Sequence, residues 1–492
     1  MAIYPLIRRT FSILIVFGAV IGLFSNVITV NAQEAGLWTT PISLSRGILD
    51  SDGRPASSQD PVLVTDSAGI VHAFWASEVD RRLGAVGNAL MYAQYDGQSW
   101  STPVDIFYSP ANIYWLPQAV IDKDDRIHLV WASWNGGGYI MYSQASSSDA
   151  GQVRAWSKPI QVSNETATNP AIAISTDGSV HIVYFADGND KHISYVWSKD
   201  GKSWPPPVII GYSQKYMNPR LAIDGRNRLH VVYGEMGAGT AVYYSQSSNN
   251  GQSWSSPLTI DSKDKRYYGA YGPAWINVIT IGKDDVHVIW DGSPSGQRWH
   301  TWSDDGGLTW KTPEQLSPTV RGLTGANALG IDSTGRIYLF TMGIAGTAPY
   351  YASWWKGHWS SMDPLTGMGW DGEGPALTIR KNQIIVAWWE RNTDPSLPAL
   401  EVFTSMATLD LSNKSQNIQV EQVTPKMQAE IPTATMLPTF MTENLNLTST
   451  PAVPVNPQSS STYSSTVLLV IAFLPAILFT GIILLVRLKR TA

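Results

Sequence analysis

One pattern of apolar and polar residues recurs seven times between about residue 35 and residue 410. Each copy has an apolar strand, a polar turn and a second apolar strand that usually ends in an aromatic residue, as in AIAISTDGSVHIVYFAD at 171–187. One position recurs in the second strand of each copy, and successive residues at this position lie 47 to 57 residues apart. They are His72, His128, His181, His230, His287, Tyr338 and Ile385. A repeat of this length indicates the blades of a β-propeller.

The second half of each copy carries a third strand, a glycine-containing turn, a tryptophan and usually Ser-x-Pro, as in AVYYSQSSNNGQSWSSP at 241–257. Two hairpins per copy give the four short antiparallel strands of a propeller blade. The seventh copy lacks its last strand after Thr404, whereas Trp38 to Pro41 supply one at the other end. We therefore predict an all-β, seven-bladed β-propeller over residues 33–411, closed by its N-terminal strand so that no sheet edge stays open. A six-bladed propeller is the alternative.

The first 32 residues have the pattern of a signal peptide. Arg8 and Arg9 form the charged region, residues 11–24 are mostly apolar, and Ala32 ends a Val-Asn-Ala sequence of the kind that signal peptidase cleaves. Residues 1–32 are thus predicted to direct the propeller to the outside of the cell. An uncleaved signal anchor would place it on the same side.

Three further segments follow the propeller. Residues 412–466 are rich in Ser, Thr, Pro, Asn and Gln, so they bury too little apolar surface to offset their ordering entropy and are predicted to form a disordered stalk. Residues 467–486 carry no charge, and as a helix they would span the hydrocarbon core of a membrane. The basic residues of 487–492 predict a cytoplasmic tail. We expect a single-pass cell-membrane protein with an extracellular propeller.

The composition excludes several partners and chemistries. Only 15% of residues are charged and the net charge is -5, so no nucleic-acid partner is expected. The chain has no cysteine, which excludes thiol catalysis, Cys-ligated zinc and disulfides. The repeated histidines would lie about 10 Å apart on stacked blades, whereas zinc ligands lie about 2 Å from the ion. We interpret them as packing residues and expect no metal or other cofactor.

The predicted turn between the third and fourth strands carries a motif in several copies. One copy matches S-x-D-x-G-x-T-W, and another keeps the frame with Asn in place of Asp. Their members are Ser303, Asp305, Gly307, Thr309 and Trp310 in the first copy, and Ser247, Asn249, Gly251 and Trp254 in the second. The motif resembles the Asp-box, or BNR repeat, of the sialidase superfamily, and its degenerate copies extend the resemblance over the whole propeller.

We interpret this motif as structural. The acidic side chain satisfies backbone donors in a tight turn, the glycine adopts a left-handed conformation, and the tryptophan is buried between blades. The resemblance implies that these turns lie on the face opposite the family's active site.

On that opposite face, the loops between second and third strands and the links between blades are rich in aromatic and charged residues. Aromatic faces stack on sugar rings, while carboxylates and guanidinium groups bind hydroxyls or a carboxylate. The candidate ligand-binding residues are Trp115, Trp134, Asp187, Arg220, Asp291 and Trp370. The alternative for each is that it caps a strand or bonds the backbone.

The resemblance also implies a hydrolase as one candidate. Sialidases use three arginines around the sialic acid carboxylate, a tyrosine nucleophile helped by a glutamate, and an aspartate as acid/base, unlike the two-carboxylate scheme of most glycosidases. Residue type and loop position give as catalytic candidates Glu235, Tyr267, Tyr268, Arg298, Arg321 and Arg391. The family's Arg-Ile-Pro motif is missing from the first copy, where Arg54 directly precedes Pro55.

Three functions therefore remain open. The missing motif and the aromatic loops favour a membrane-tethered propeller that binds carbohydrate or another surface polymer without cleaving it. The first alternative is an exo-sialidase-like glycoside hydrolase. The second is an extracellular scaffold for a protein partner, whose identity the sequence leaves unknown.

Overall fold

The structure is a computed structural model that describes residues 38 to 409 with gaps. The described ranges are 38–80, 87–109, 113–134, 137–212, 218–235, 241–262, 273–292, 297–317, 326–342, 349–365, 372–394 and 396–409. The predicted signal peptide, stalk and membrane span lie outside these ranges. Within them, no helix has the length and apolar character needed to cross a membrane.

The described strands form seven antiparallel sheets, each of which is one blade. Blade 1 contains β2 (Ser58–Thr65), β3 (Val71–Ser77), β4 (Ala89–Tyr95) and β5 (Val104–Tyr108). Blade 2 contains β6 (Ile113–Ile121), β7 (Arg126–Trp134), β8 (Gly138–Ser146) and β9 (Ile160–Gln161), with two 3₁₀ helices at Ser147–Asp149 and Val153–Ala155 before β9. Blade 3 contains β10 (Ala167–Ile174), β11 (Val180–Ala186), β12 (His192–Ser198) and β13 (Val208–Tyr212).

The remaining blades follow the same order along the chain. Blade 4 contains β14 (Arg220–Ile223), β15 (Leu229–Gly234), β16 (Ala241–Ser247) and β17 (Leu258–Ser262). Blade 5 contains β18 (Pro273–Ile281), β19 (Asp285–Gly292), β20 (Gln297–Ser303) and β21 (Glu314–Ser317). Blade 6 contains β22 (Asn327–Ile331), β23 (Ile337–Thr341), β24 (Tyr350–Trp355), β25 (His358–Trp359) and β26 (Asp363–Pro364). Blade 7 contains β27 (Gly372–Arg380), β28 (Gln383–Arg391), β29 (Leu400–Thr408) and β1 (Ile42–Ser43).

The N-terminal segment completes the last blade, as the repeat analysis predicts. Strand β1 pairs antiparallel with β29. The backbone N–H of Thr39 donates to the carbonyl of Met406 at 2.8 Å, and that of Leu44 donates to the carbonyl of Val402 at 2.8 Å. The pairing therefore extends from Thr39 to Leu44, slightly beyond the predicted strand. The all-β, seven-bladed propeller is confirmed.

The second strand of each blade is the most deeply buried. Every residue of β3, β11 and β15 is buried, including alternate positions that point to opposite faces of the sheet. Both faces are apolar because each blade is packed between two neighbours. The core is accordingly divided into clusters at blade contacts, such as that of Phe74 in blade 1 with Trp131 in blade 2.

The Asp-boxes lie in the turns between third and fourth strands. In blade 5 the Asp305 carboxylate accepts the backbone N–H groups of Leu308 and Thr309, both at 2.9 Å, and Ser303 Oγ accepts that of Gly307 at 2.8 Å. In blade 4, Ser247 Oγ accepts the N–H of Gly251 at 2.9 Å. We call the end of the propeller that carries these turns the Asp-box face.

Each complete Asp-box packs on a tyrosine of the preceding blade. The Trp310 ring lies 4.9 Å from the Tyr244 ring, and the Trp254 ring lies 5.0 Å from the Tyr195 ring. Gly307 has a φ of +88°, and a Cβ there would stand 1.8 Å from Tyr244 Oη. The glycine is therefore required by both the turn and the close approach of the neighbouring blade.

The repeated histidines are buried near the same face, and four of the five bridge a turn to a tyrosine. In blade 5, His287 Nδ1 instead lies 3.1 Å from His300 Nε2. His128 Nδ1 lies 2.7 Å from Tyr142 Oη, and its Nε2 lies 3.2 Å from Asp122 in the first turn of the blade. His181 is held in the same way between Tyr195 and Ser175. In the described part of the chain, no group of three or more His, Cys, Asp or Glu side chains could hold a metal ion. The burial and contacts of the histidines give them a packing role.

Candidate functional site

The opposite end of the propeller holds the candidate site residues. Because the strands alternate in direction, the hairpins between second and third strands and the links between blades share one end. We call it the link face; it includes the start of each first and third strand and the end of each second and fourth strand. Trp115, Trp134, Asp187, Arg220, Glu235, Asp291, Arg298 and Arg391 all lie at this end. Tyr267, Tyr268, Arg321 and Trp370 lie outside the described residues.

The first strands are irregular where they approach the link face. Pairing with the second strand shifts register in five blades, and in each of these one residue at the shift has a positive φ. These residues are Asp60 (+55°), Leu116 (+49°), Asn169 (+51°), Trp275 (+49°) and Gly374 (+59°). A proline follows four of them, and its missing N–H suits a bulge where the ladder is interrupted. Strained backbone of this kind collects at binding sites.

Two tryptophans meet at the link face of blade 2. The rings of Trp115, in the first strand, and Trp134, at the end of the second, lie 6.5 Å apart at an interplanar angle of 64°. The Trp134 side chain is 42% exposed. Gly138 pairs with it across the hairpin, and a Cβ at Gly138 would stand 3.1 Å from the Trp134 ring. The structure therefore brings these two predicted residues together and leaves Trp134 partly exposed to solvent.

A pair of carboxyl groups lies between blades 7 and 1. Burial raises the pKa of Asp60 to about 6. The backbone N–H of Leu116, which donates to Asp60 Oδ2 at 3.3 Å, acts in the opposite direction and lowers this pKa. The charge of Glu373 raises the pKa of Asp60 further. Arg391 Nη2 lies 3.9 Å from Glu373, and its guanidinium stands 5.4 Å from the centre of the Trp389 ring. Asp60 can therefore hold a proton near neutral pH.

Asp291 and Arg298 form a fully buried pair between blades 5 and 6. They face each other across β19 and β20, with Arg298 Nη1 3.2 Å from Asp291 Oδ1. Arg298 Nε also donates to Thr341 Oγ1 at 2.9 Å, and Nη2 donates to the carbonyl of Met342. Burial raises the pKa of Asp291 to about 6 and lowers that of Arg298. In this arrangement the guanidinium joins two blades.

A second buried carboxyl group lies in blade 7. Burial raises the pKa of Glu390 to about 7, although the indole N–H of Trp388 donates to it at 2.5 Å. Glu401 pairs with it across β28 and β29 and accepts Arg46 Nε at 2.8 Å. The structure thus shows one ion-paired carboxylate beside a carboxyl group that favours its neutral form.

The other predicted residues are distributed over separate blades. Arg220 Nη1 donates to Asn218 Oδ1 at 2.5 Å in blade 4. Glu235 is partly exposed just beyond β15, where its charge raises the pKa of Tyr243 after the larger effect of burial. Asp187 is exposed beyond β11 and accepts Lys191. The described candidate arginines, Arg220, Arg298 and Arg391, thus belong to blades 4, 5 and 7.

The sequence analysis missed two exposed tyrosines at the link face. Tyr212 ends the outer strand of blade 3, is 69% exposed and lies 5.7 Å from the His192 ring. His192 Nε2 is 3.2 Å from Glu165. Tyr108 ends the outer strand of blade 1, is 45% exposed and donates to Asp80 at 3.1 Å. Their only sequence signal was an aromatic residue at the end of a fourth strand.

Comparison with known proteins supports the repeat assignment. Residues 89–289 match the family model described as the BNR repeat-like domain. The resemblance to BNR-repeat proteins is thereby confirmed for this part of the chain. No curated protein sequence was found to match.

Several solved structures are similar to the chain. A protein of unknown function from Dyadobacter fermentans is 14% identical, with 75% of this chain and 98% of that chain covered and a TM-score of 0.45. The NanB sialidase of Streptococcus pneumoniae is 12% identical, with 72% and 68% covered and a TM-score of 0.43. The polysaccharide lyase Uly1 is 11% identical, with 72% and 90% covered and a TM-score of 0.44. The seven blades rest on the strand pairing described above.

Proposed function

We propose that the propeller binds carbohydrate at its link face without cleaving it. The observation that carries this proposal is the Trp115–Trp134 pair, in which a large indole remains 42% exposed. The apolar face of a sugar ring packs on such a surface, while neighbouring polar groups orient its hydroxyls. The strained bulge at Leu116, next to Trp115, gives the platform a fixed backbone shape.

Binding is tested with the purified full-length chain on a broad glycan array. We expect a defined group of glycans to bind, and the signal to fall at least tenfold in Trp134→Ala and Trp115→Ala. Leu308→Ala is the matched control, because Leu308 is 68% exposed on the Asp-box face. The proposal fails if no glycan binds the folded chain, or if the control loses binding as strongly as the tryptophan variants.

A sialidase-like hydrolase is the second candidate, and the Asp60 carboxyl group favours it. A pKa of about 6 allows Asp60 to exchange a proton near neutral pH, as a general acid must. The test measures release from a fluorogenic sialoside and from a panel of other fluorogenic glycosides. Turnover that is lost in Asp60→Asn or Glu235→Gln, with thermal unfolding unchanged, would establish hydrolysis. Silence on every substrate would favour binding alone.

We also propose that residues 1–32 export the propeller and that residues 467–486 tether it to the cell membrane. The uncharged run of 467–486 and the basic residues after it support this proposal. The full-length chain is expected to remain in the membrane pellet after alkaline carbonate extraction, whereas a variant that ends at residue 466 is released. Release of both would refute the tether.

A further inference from the structure

Within the part of the chain that the structure describes, the exposed aromatic side chains are confined to one part of the propeller. Among the described residues, the large hydrophobic side chains that are most exposed include three aromatics: Tyr108 at 45%, Trp134 at 42% and Tyr212 at 69%. They end β5, β7 and β13, so all three lie at the link face of blades 1, 2 and 3. The remaining members of that exposed group are aliphatic.

The fold does not require a tyrosine at the end of an outer strand. Tyr108 pairs with the first residue of β4, and Tyr212 pairs with the first residue of β12. In blade 4 the corresponding residue is Ser262, opposite Ala241, the first residue of β16. The same position of the blade is thus occupied by a tyrosine in blades 1 and 3 and by a serine in blade 4. Exposed aromatic rings on one face of the propeller can serve as stacking contacts for a ligand, since a tyrosine has both an apolar ring and a polar hydroxyl.

Together with Trp115, which contacts Trp134, the three exposed aromatics extend over a longer distance than a single sugar could cover. Trp115 is on a first strand, Trp134 on a second strand, and the two tyrosines are on the outer strands of the flanking blades. Stacked sheets lie about 10 Å apart, so blades 1 and 3 are separated by at least about 20 Å. One ring cannot touch Tyr108, Trp134 and Tyr212 together, whereas a chain of sugars can.

The described charges of this region do not favour an anionic chain. The described cations at the link face from the N-terminal segment to blade 3 are Arg46, Arg54 and Lys191. Each contacts a carboxylate of its own chain: Arg46 bonds Glu401, Arg54 lies 3.8 Å from Asp52, and Lys191 bonds Asp187. A polyanion would have to compete for these cations, whereas a neutral sugar needs only hydroxyl contacts and ring stacking.

We infer that the ligand is an extended neutral polysaccharide that crosses the link face of blades 1 to 3, with Tyr108 and Tyr212 as outer contacts on either side of the tryptophan pair. This inference rests on the proposed carbohydrate binding and adds the length and charge class of the ligand.

The test is affinity electrophoresis of the full-length chain in native gels that contain xyloglucan, galactomannan or mixed-linkage β-glucan, beside gels with alginate or polygalacturonate. We expect at least one neutral polymer to retard the chain. Tyr212→Ala and Tyr108→Ala should each weaken that binding about two- to tenfold, the range for loss of one ring contact. Leu308→Ala should migrate like the unaltered chain. Oligosaccharides of the retarding polymer should bind more tightly as they lengthen, and this gain should shrink in Tyr212→Ala.

The outcomes separate this inference from the function on which it rests. If array binding depends on Trp134 but both tyrosine variants bind polymer normally, the extended contact is refuted and carbohydrate binding stands. Retardation by the anionic polymers alone overturns the neutral class. If neither array nor gel shows binding by the folded chain, the proposed function fails and the inference with it. Tyr212→Ala, which alters a mostly exposed side chain, keeps the test valid even if Tyr108→Ala unfolds.

Discussion

The two faces of this propeller are built from the same strands, yet they treat polar and aromatic groups in opposite ways. On the Asp-box face, the Asp305 carboxylate is bonded to backbone N–H groups and Trp310 packs on Tyr244. On the link face, Glu390 is buried with a raised pKa and Tyr212 is 69% exposed. The turns of the Asp-box face therefore bond their own backbone, whereas the link face retains a buried carboxyl group and an exposed aromatic ring.

This difference separates structural roles from ligand binding. Repeated residues that bond one another in every blade contribute to holding the ring together. Some side chains break the repeat and remain exposed, or are buried in their uncharged form. We expect these side chains to gain contacts when a ligand binds. The same contrast gives measurable differences between matched variants of the two faces.

The largest effect is expected at the Asp-box glycine. Gly307→Ala should lower the free energy of unfolding by about 3 kcal/mol, because it combines a positive φ with overpacking against Tyr244. Gly178→Ala is the matched control: Gly178 has a φ of +85° in a turn on the same face, but no atom lies within 4 Å of the position that its Cβ would take. It should lose about 1 kcal/mol. Equal shifts in urea unfolding would contradict the blade contact.

The next effect concerns pH on the link face. The pKa of Glu390 is raised to about 7 in the folded chain, above its ordinary value, so the folded state binds the proton more tightly. The contribution of Glu390 to the free energy of unfolding should therefore be greatest below about pH 4.5. It should fall by about 2–3 kcal/mol as the pH rises from there through 7. Glu390→Gln, which stays neutral, should lose this dependence in urea unfolding at pH 5 and pH 8. An unchanged profile would refute the assignment.

The Asp-box face should respond to pH with the opposite sign. Burial lowers the pKa of His181 to about 4, so the unfolded state binds the proton more tightly between about pH 6.5 and pH 4. Stability should fall by about 2 kcal/mol as pH is lowered through this window. His181→Gln should flatten that part of the profile and leave the dependence due to Glu390 unchanged. A variant profile as steep as that of the unaltered chain would show that His181 is already protonated when folded.

The smallest effect on stability is expected at an exposed link-face ring. Tyr212→Ala should change the free energy of unfolding by less than about 0.5 kcal/mol, because the side chain makes few buried contacts. Tyr195→Ala, in the third strand of the same blade, removes a buried ring that contacts His181 and Trp254 and should lose about 3 kcal/mol. Similar losses in thermal unfolding would remove the distinction between the two faces.

The repeat predicted most of the fold because its signals are local. Alternating apolar residues, the turn glycines and the Trp-Ser-x-Pro strands define each blade, and the missing strand after Thr404 indicated how the ring closes. The repeated histidines were interpreted as a packing feature because the expected blade spacing argues against a shared metal ion. Each of these inferences depends on residues within one repeat or on simple distances between repeats.

The link face was less predictable because exposure and pKa depend on neighbouring blades. Asp291 and Arg298 were selected as loop residues, but they pair across β19 and β20 and are fully buried. Asp60 looked like an ordinary strand residue, since neither its positive φ nor the proximity of Glu373 can be read from local sequence. Tyr212 was missed because only an outer strand without a further neighbour leaves its ring exposed.

The joined ends of the ring also set an order for biosynthesis. Thr39 Oγ1 lies 3.3 Å from Ser405 Oγ, although 366 positions separate them in the chain. At about 5–20 residues per second, the ribosome needs roughly 20 to 75 s to make that interval. During this time β1 lacks its partner β29. The six blades that are made in the meantime must therefore fold without pairing with β1. A chain interrupted before β29 would therefore leave an unclosed ring with two free edges, a form that quality-control proteases and chaperones can distinguish from the finished product.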